Sequence, residues 1–167
     1  YVTMGFDGTR LQYDTYAYDP ETDAWTKMAP CPDKYFNAIA FGIGPFFYVG
    51  AGVRGINQRT FFQYDTRSNS WSRKAKLPEG RMLSNSLTVE GKGYVLLGRF
   101  WNGSLNGGRF LSDVVEYNPA TDSWTKRGDF PGGARQNAVV FCIGDKGYVA
   151  LGEDDSERKS DVWCFKP

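Results

Sequence analysis

Tyr18, Tyr64 and Tyr117 are each followed seven positions later by a tryptophan: Trp25, Trp71 and Trp124. The tryptophans lie 46 and 53 residues apart. A second marker, Tyr-Val-x-x-Gly, runs from Tyr1 to Gly5, Tyr48 to Gly52, Tyr94 to Gly98 and Tyr148 to Gly152, at spacings of 47, 46 and 54. A third, an asparagine ahead of an apolar run, falls at Asn37, Asn85 and Asn137, spaced 48 and 52. Three markers that keep one period of about 50 residues define an internal repeat, and such a unit buries its apolar faces only by stacking on its neighbours.

The unit is built of strands. Apolar residues alternate in short runs split by Gly, Pro, Asn and Asp, and no run carries helical spacing. Aromatic residues make up 16% of the chain and there are 20 glycines, a balance that suits pleated, tightly turned structure rather than helices. Each unit holds a hairpin of two apolar strands: Asn37–Ile43 with Phe46–Ala51, Ser84–Val89 with Gly93–Leu97, and Gln136–Ile143 with Gly147–Leu151. A third and a fourth strand follow, the fourth carrying the tryptophan and reached through an Asp-Pro or Asn-Pro type turn. The count is 14 strands, grouped three, four, four and three over residues 1–34, 35–82, 83–134 and 135–167 of a single domain. Radial stacking of such sheets gives an all-β propeller with about four blades present, the first and last incomplete.

The unit resembles the kelch repeat, whose period is about 50 residues. The matching residues are the strand from Tyr148 to Gly152, the turns at Tyr18-Asp19, Tyr64-Asp65 and Tyr117-Asn118, the tryptophan seven positions on, and Gly132-Gly133-Ala134-Arg135 ahead of the next hairpin. Kelch repeats usually close the second strand with two glycines, whereas the second position here holds Phe6, Val53, Arg99 and Glu153, as in divergent bacterial repeats. The resemblance covers the whole chain and implies a kelch-type β-propeller. Six blades are what the resemblance implies, and since the first unit lacks its innermost strand and the last its outermost, these residues read as part of such a larger ring, with a complete small ring or one shared by two chains as the alternatives. Self-association through those incomplete end blades is a further expectation.

Composition removes several function classes. Twenty basic residues against 19 acidic ones leave a net charge of +1 with no basic stripe, so nucleic acid is not an expected partner. No apolar stretch reaches membrane-spanning length. The kelch resemblance brings in copper enzymes of the galactose-oxidase kind, but their histidine ligands cannot be supplied by a chain without histidine, and histidine-based triads fail likewise. No cofactor or metal is expected, and no catalytic residue is assigned. The run Glu153-Asp154-Asp155 places its oxygens side by side rather than alternately, unlike a calcium loop. The three cysteines, Cys31, Cys142 and Cys164, show no metal spacing and are expected to be unpaired.

What recurs in a repeat protein is scaffold, and what differs in its loops is the candidate site. The loops between second and third strands, and the links between units, end on one face. They bring Arg54, Arg59, Arg99, Phe100, Trp101 and Arg109 together with Tyr35, Arg81 and Arg135, a set of arginines and aromatics of the kind recognition surfaces use. Trp101 stands in an 11-residue, glycine-rich stretch, Arg99–Arg109, with no counterpart in the other units. The expected function is a non-enzymatic binding module for a protein or glycan, of the kind the resemblance places in secreted or surface bacterial proteins of the periplasm or cell surface. Two alternatives stay open: a sugar-processing enzyme of the kelch sialic-acid-epimerase kind, completed by further blades, and a substrate adaptor of a ubiquitin ligase.

Overall fold

A computed structural model describes residues 1–101, 103 and 108–166. Its strands form four antiparallel sheets in chain order. The first holds β1 (Val2–Thr3), β2 (Thr15–Asp19) and β3 (Ala24–Met28). The second runs β4 (Ile39–Ile43), β5 (Phe46–Gly50), β8 (Phe61–Asp65) and β9 (Ser70–Lys74), interrupted by the small loop hairpin β6 (Val53–Arg54) and β7 (Ile56–Asn57). The third runs β10 (Asn85–Val89), β11 (Lys92–Leu96), β14 (Asp113–Asn118) and β15 (Ser123–Asp129), with the loop hairpin β12 (Arg99–Phe100) and β13 (Arg109–Phe110). The last holds β16 (Val139–Ile143), β17 (Lys146–Ala150) and β18 (Val162–Phe165). The grouping is the expected three, four, four and three. The two short loop hairpins were not expected, because two-residue strands carry no alternation for a sequence to display. The innermost strand β10 lies against both β4 and β16, so the hairpins line the inner side of the array as propeller blades do.

The innermost strands begin one to three residues later than the sequence pattern predicts. Asn37, Leu83 and Asn137 take left-handed backbone, at φ of 53°, 53° and 55°, and a residue in that region cannot continue a strand. The repeated position is therefore Leu83, not Asn85. The spacings become 46 and 54, in step with the Tyr-Val-x-x-Gly marker. Asn85 lies inside β10 and donates from Nδ2 to the Ala138 carbonyl of the next blade, at 2.6 Å. The glycines closing the second strands are left-handed as well, with φ of 114°, 78°, 93° and 94° at Gly5, Gly52, Gly98 and Gly152. The residue after each glycine pairs closely with the backbone of a link or loop although it is not a second glycine. Val53, Arg99 and Glu153 exchange hydrogen bonds in both directions with Phe36, Met82 and Gln136.

The tyrosine–tryptophan marker acts as a stitch between blades. Five residues after each tyrosine stands Asp23, Asn69 or Asp122, again left-handed, and its side chain accepts the tyrosine hydroxyl at 2.8, 2.6 and 2.7 Å. In the second and third blades that same oxygen also accepts a backbone N–H from the preceding blade's link, Ala29 at 2.8 Å and Ala75 at 3.0 Å. The indole N–H of Trp71 then donates to the Ala29 carbonyl at 2.8 Å, and that of Trp124 to the Ala75 carbonyl at 2.9 Å. Trp25, at the same position in the first blade, is 56% exposed. The tryptophans are thus scaffold, as their recurrence implies.

Between blades the packing is aromatic. Phe41 of β4 reaches across to β11, where a Cβ on Gly93 would come within 2.2 Å of its ring, so only glycine fits. Phe61, Tyr48 and Tyr117 close the same cluster.

The three cysteines are free. Cys142 on β16 and Cys164 on β18 are separated by β17, which puts two strand spacings of about 4.8 Å each between them, beyond disulfide reach. Cys31 is buried, and desolvation pushes its thiol up to about 12. Ellman titration of the unreduced native protein near pH 8 should therefore show two thiols reacting quickly and a third appearing only on denaturation. A total of one after denaturation would mean that a disulfide has formed.

Candidate functional site

The links and the second-to-third-strand loops meet on one face, as expected, and the meeting is made by side chains. After each outermost strand the chain turns at a proline: Cys31-Pro32-Asp33, Leu77-Pro78-Glu79 and Phe130-Pro131-Gly132. The acidic residue of the first two links grips an arginine from the next blade's loop. Asp33 takes Arg54 and Glu79 takes Arg109, each at 2.6 Å. Where the third link carries Gly132 instead, Arg158 of the following loop is 93% exposed, with only Glu153 near it at 4.0 Å.

Three of the nine expected site residues lie inside the fold. Arg81, Arg135 and Tyr35 occupy one position in successive repeats and have relative exposures of 0%, 1% and 0%. Arg81 holds Asp113 bidentately, at 2.9 and 2.7 Å, and Arg135 holds Asp161 at 2.5 and 3.0 Å. The pairing draws Asp161 down to about 2. Each arginine also donates to the carbonyl at the end of the second strand, Leu97 or Leu151. These guanidiniums hold carboxylates of the chain itself in forked geometry, and as they stand they are not open to a ligand. The signal was present: both arginines recur, and both have an aspartate just ahead of the third strand. In the second blade the same place holds Tyr35, with Thr60 in the aspartate's position. Tyr35 donates to Asp33, and burial pushes its hydroxyl up to about 12.

Arg54, Arg59, Arg99, Phe100, Trp101 and Arg109 remain at the surface or half-buried beneath it. Arg54 is clasped by Asp33 with its guanidinium over the Tyr35 ring at 5.9 Å. The stem β12–β13 pairs Arg99 with Phe110 and Phe100 with Arg109. Each pair stacks a guanidinium on a ring, Arg99 over Phe110 at 5.0 Å and Arg109 over Phe100 at 5.5 Å. The loop therefore stands on a rigid base. Trp101 follows directly, half-buried, and its backbone N–H donates to Asn57 of the neighbouring blade's loop. Asn102 and residues 104–107 of the same loop lie outside the described residues.

Beside the stem an open cleft of about 620 Å³ runs between the second and third blades, walled by Arg59, Pro78, Glu79, Phe100, Arg109 and Phe110. A smaller counterpart of about 350 Å³ lies between the first and second blades, around Tyr13, Pro32, Asp33 and Arg54. In the larger cleft Asp113 and Asp129 stand opposite each other on β14 and β15, and each is held by a cation, Arg81 or Lys126.

Comparison with known proteins agrees with this architecture. The family model described as "Kelch motif" matches residues 1–32. Kelch-like protein 35 of Mus musculus is 28% identical over 170 residues, covering 100% of this chain and 28% of the relative. The N-acetylneuraminate epimerase of Pasteurella multocida is 24% identical, covering 92% of this chain and 50% of the enzyme. The solved structure of YjhT superposes with a TM-score of 0.81 at 20% identity, over 98% of this chain and 61% of that one. The chain thus spans about a quarter of the kelch-like relative and half of the epimerase. Relatives from animals, a plant and a bacterium give no support to a bacterial surface origin in particular. With a period, a stitched four-sheet array and these matches in agreement, the chain is similar to kelch-repeat proteins and carries the fold of a partial kelch-type β-propeller.

Proposed function

We propose that the chain is a non-enzymatic binding module that engages a protein partner through its loop face, centred on Trp101 and the cleft beside it. The observation that carries this reading is the β12–β13 stem. Two guanidinium–ring stacks brace the stem from which Trp101 follows, beside an open cleft, and no other blade builds such a stem among the described residues. Rigid aromatic and arginine groups presented in advance lose little entropy on binding, which is how interface anchors earn their effect. Kelch-like relatives in animals favour a partner that is a protein.

A second reading, a sugar-processing enzyme completed by further blades, is favoured by the similarity to N-acetylneuraminate epimerase. In its support, arginine and carboxylate side chains on this face could serve acid–base chemistry without a metal. The two readings separate in one experiment. Panning a random heptapeptide display library on the protein should enrich peptides whose binding weakens about thirtyfold or more on Trp101→Ala, with the melting temperature nearly unchanged. Enrichment of nothing, together with measurable epimerisation of N-acetylneuraminate, would move the assignment to the enzyme. A Trp101→Ala variant that loses several kcal/mol of stability would make Trp101 a lid on the third blade.

A further inference from the structure

Arg59 is the one cation of the cleft whose charge the chain leaves uncompensated among the described residues. Every carboxylate there is committed: Asp113 to the buried Arg81 at 2.7 Å, Glu79 to Arg109 at 2.6 Å, and Asp129 to Lys126 at 3.1 Å. Four cations thus face three carboxylates. Arg59 spends its Nε–H on the Leu77 carbonyl at 2.7 Å, which fixes the guanidinium, and its two terminal nitrogens have no ion-pair partner.

The backbone at this position is constant from blade to blade. The carbonyls of Tyr13, Arg59 and Ser112 accept the N–H of Cys31, Leu77 and Phe130 at 2.8, 2.8 and 2.6 Å. The fold therefore asks nothing of the side chain, and a tyrosine, an arginine and a serine all occupy the place. Of the three, only Arg59 is a cation, and it lines the larger cleft. A residue that varies on a fixed backbone, anchored and aimed yet unpaired, has the marks of a ligand contact.

We propose, resting on the binding-module reading, that Arg59 forms a subsite for a side-chain carboxylate of a peptide partner. Its terminal N–H groups grip the carboxylate while Phe100 and Pro78 pack the neighbouring apolar residue. A peptide fits better than a sugar. Among the described residues Ser112 is the only uncharged polar side chain in the lining, whereas a sugar's hydroxyls call for several uncommitted donors and acceptors. The apolar part of the wall, Phe100, Phe110, Leu111 and Val115, suits a peptide's hydrophobic side chains.

The peptides enriched by panning supply the probe, resynthesised with amidated C termini and a fluorophore and measured by anisotropy on the wild-type protein. They should carry an aspartate or glutamate. Replacing it by the amide in the peptide should weaken binding about tenfold or more, and Arg59→Gln in the protein should do the same. The two changes together should cost little more than either alone, the mark of a direct contact. The peptide-side substitution needs no folded variant, so a destabilised Arg59→Gln does not blunt the test. Peptides without an acid, or affinities indifferent to both changes, overturn the subsite. If those peptides still require Trp101, the binding-module reading stands without it. Displacement of nothing by acidic peptides, with N-acetylneuraminate binding in an Arg59-dependent way, also overturns the proposal in favour of a carboxylated sugar.

Discussion

Asp113→Ala should destabilise the protein by about 3–5 kcal/mol, because it strands a buried guanidinium. Arg81 is fully enclosed, and among the described residues the two oxygens of Asp113 are its only carboxylate partners, at 2.9 and 2.7 Å. The Leu97 carbonyl, at 3.3 Å, cannot replace a charge. Removing the pair as a unit behaves differently. Arg81→Met combined with Asp113→Leu leaves no unpaired charge and should recover most of the loss. Urea unfolding midpoints with unchanged m-values would report both effects. An Asp113→Ala variant within about 1 kcal/mol of wild type would mean that water reaches Arg81 and that the pair behaves like a surface one. The side chain of Asp113 is 18% exposed, which places the expectation toward the lower end of the range.

The second large effect comes from the aromatic seam. Phe61 has no exposed surface and its ring lies 5.0 Å from Trp124, 5.6 Å from Phe41 and 5.9 Å from Tyr117, so it touches residues of two blades at once. Phe61→Ala should cost about 3–5 kcal/mol, since it removes a ring and leaves a cavity that rigid neighbouring sheets cannot close. The repeat supplies a control. Phe41 and Phe141 hold the same place and stack on Tyr48 and Tyr148 at the same 5.2 Å, but Phe41 is 6% exposed and Phe141 42%. Truncating Phe41 should cost several kcal/mol and truncating Phe141 about 1 kcal/mol or less. Equal losses at the two sites would show that the stack within one hairpin, and not the neighbouring blade, sets the energy.

Most of the fold could be read from residues alone because its signals are local and repeated. The alternation of Phe46–Gly50 or Lys92–Leu96, the turn after Tyr64 and the tryptophan at Trp71 each appear again about 50 residues on. The site was harder, for a physical reason. An arginine in a proline-rich link reads as solvated surface, since charged side chains are rarely buried without a partner. The partner of Arg81 stands 32 residues away at the start of β14. Only the parallel recurrence of Arg135 with Asp161 tells scaffold from site, and Tyr35 with Thr60 in the preceding repeat hides it. Arg59 posed the opposite problem. It looked like one loop arginine among many, and its distinction lies in what its neighbours are already holding.

The stitch between blades has a direction. Trp71 and the Asn69 side chain bond backward to Ala29, and Trp124 and Asp122 bond backward to Ala75. Each blade is fastened by groups it carries itself onto atoms that the ribosome has already released. During synthesis a newly emerged blade finds the backbone atoms for this stitch already in place, while contacts such as Asn85 to Ala138 run the other way and close only later. Assembly can thus proceed as a ratchet from the N-terminal side. A break in one fastening, such as Asn69→Ala, would leave everything upstream folded while the blades downstream lose their foothold.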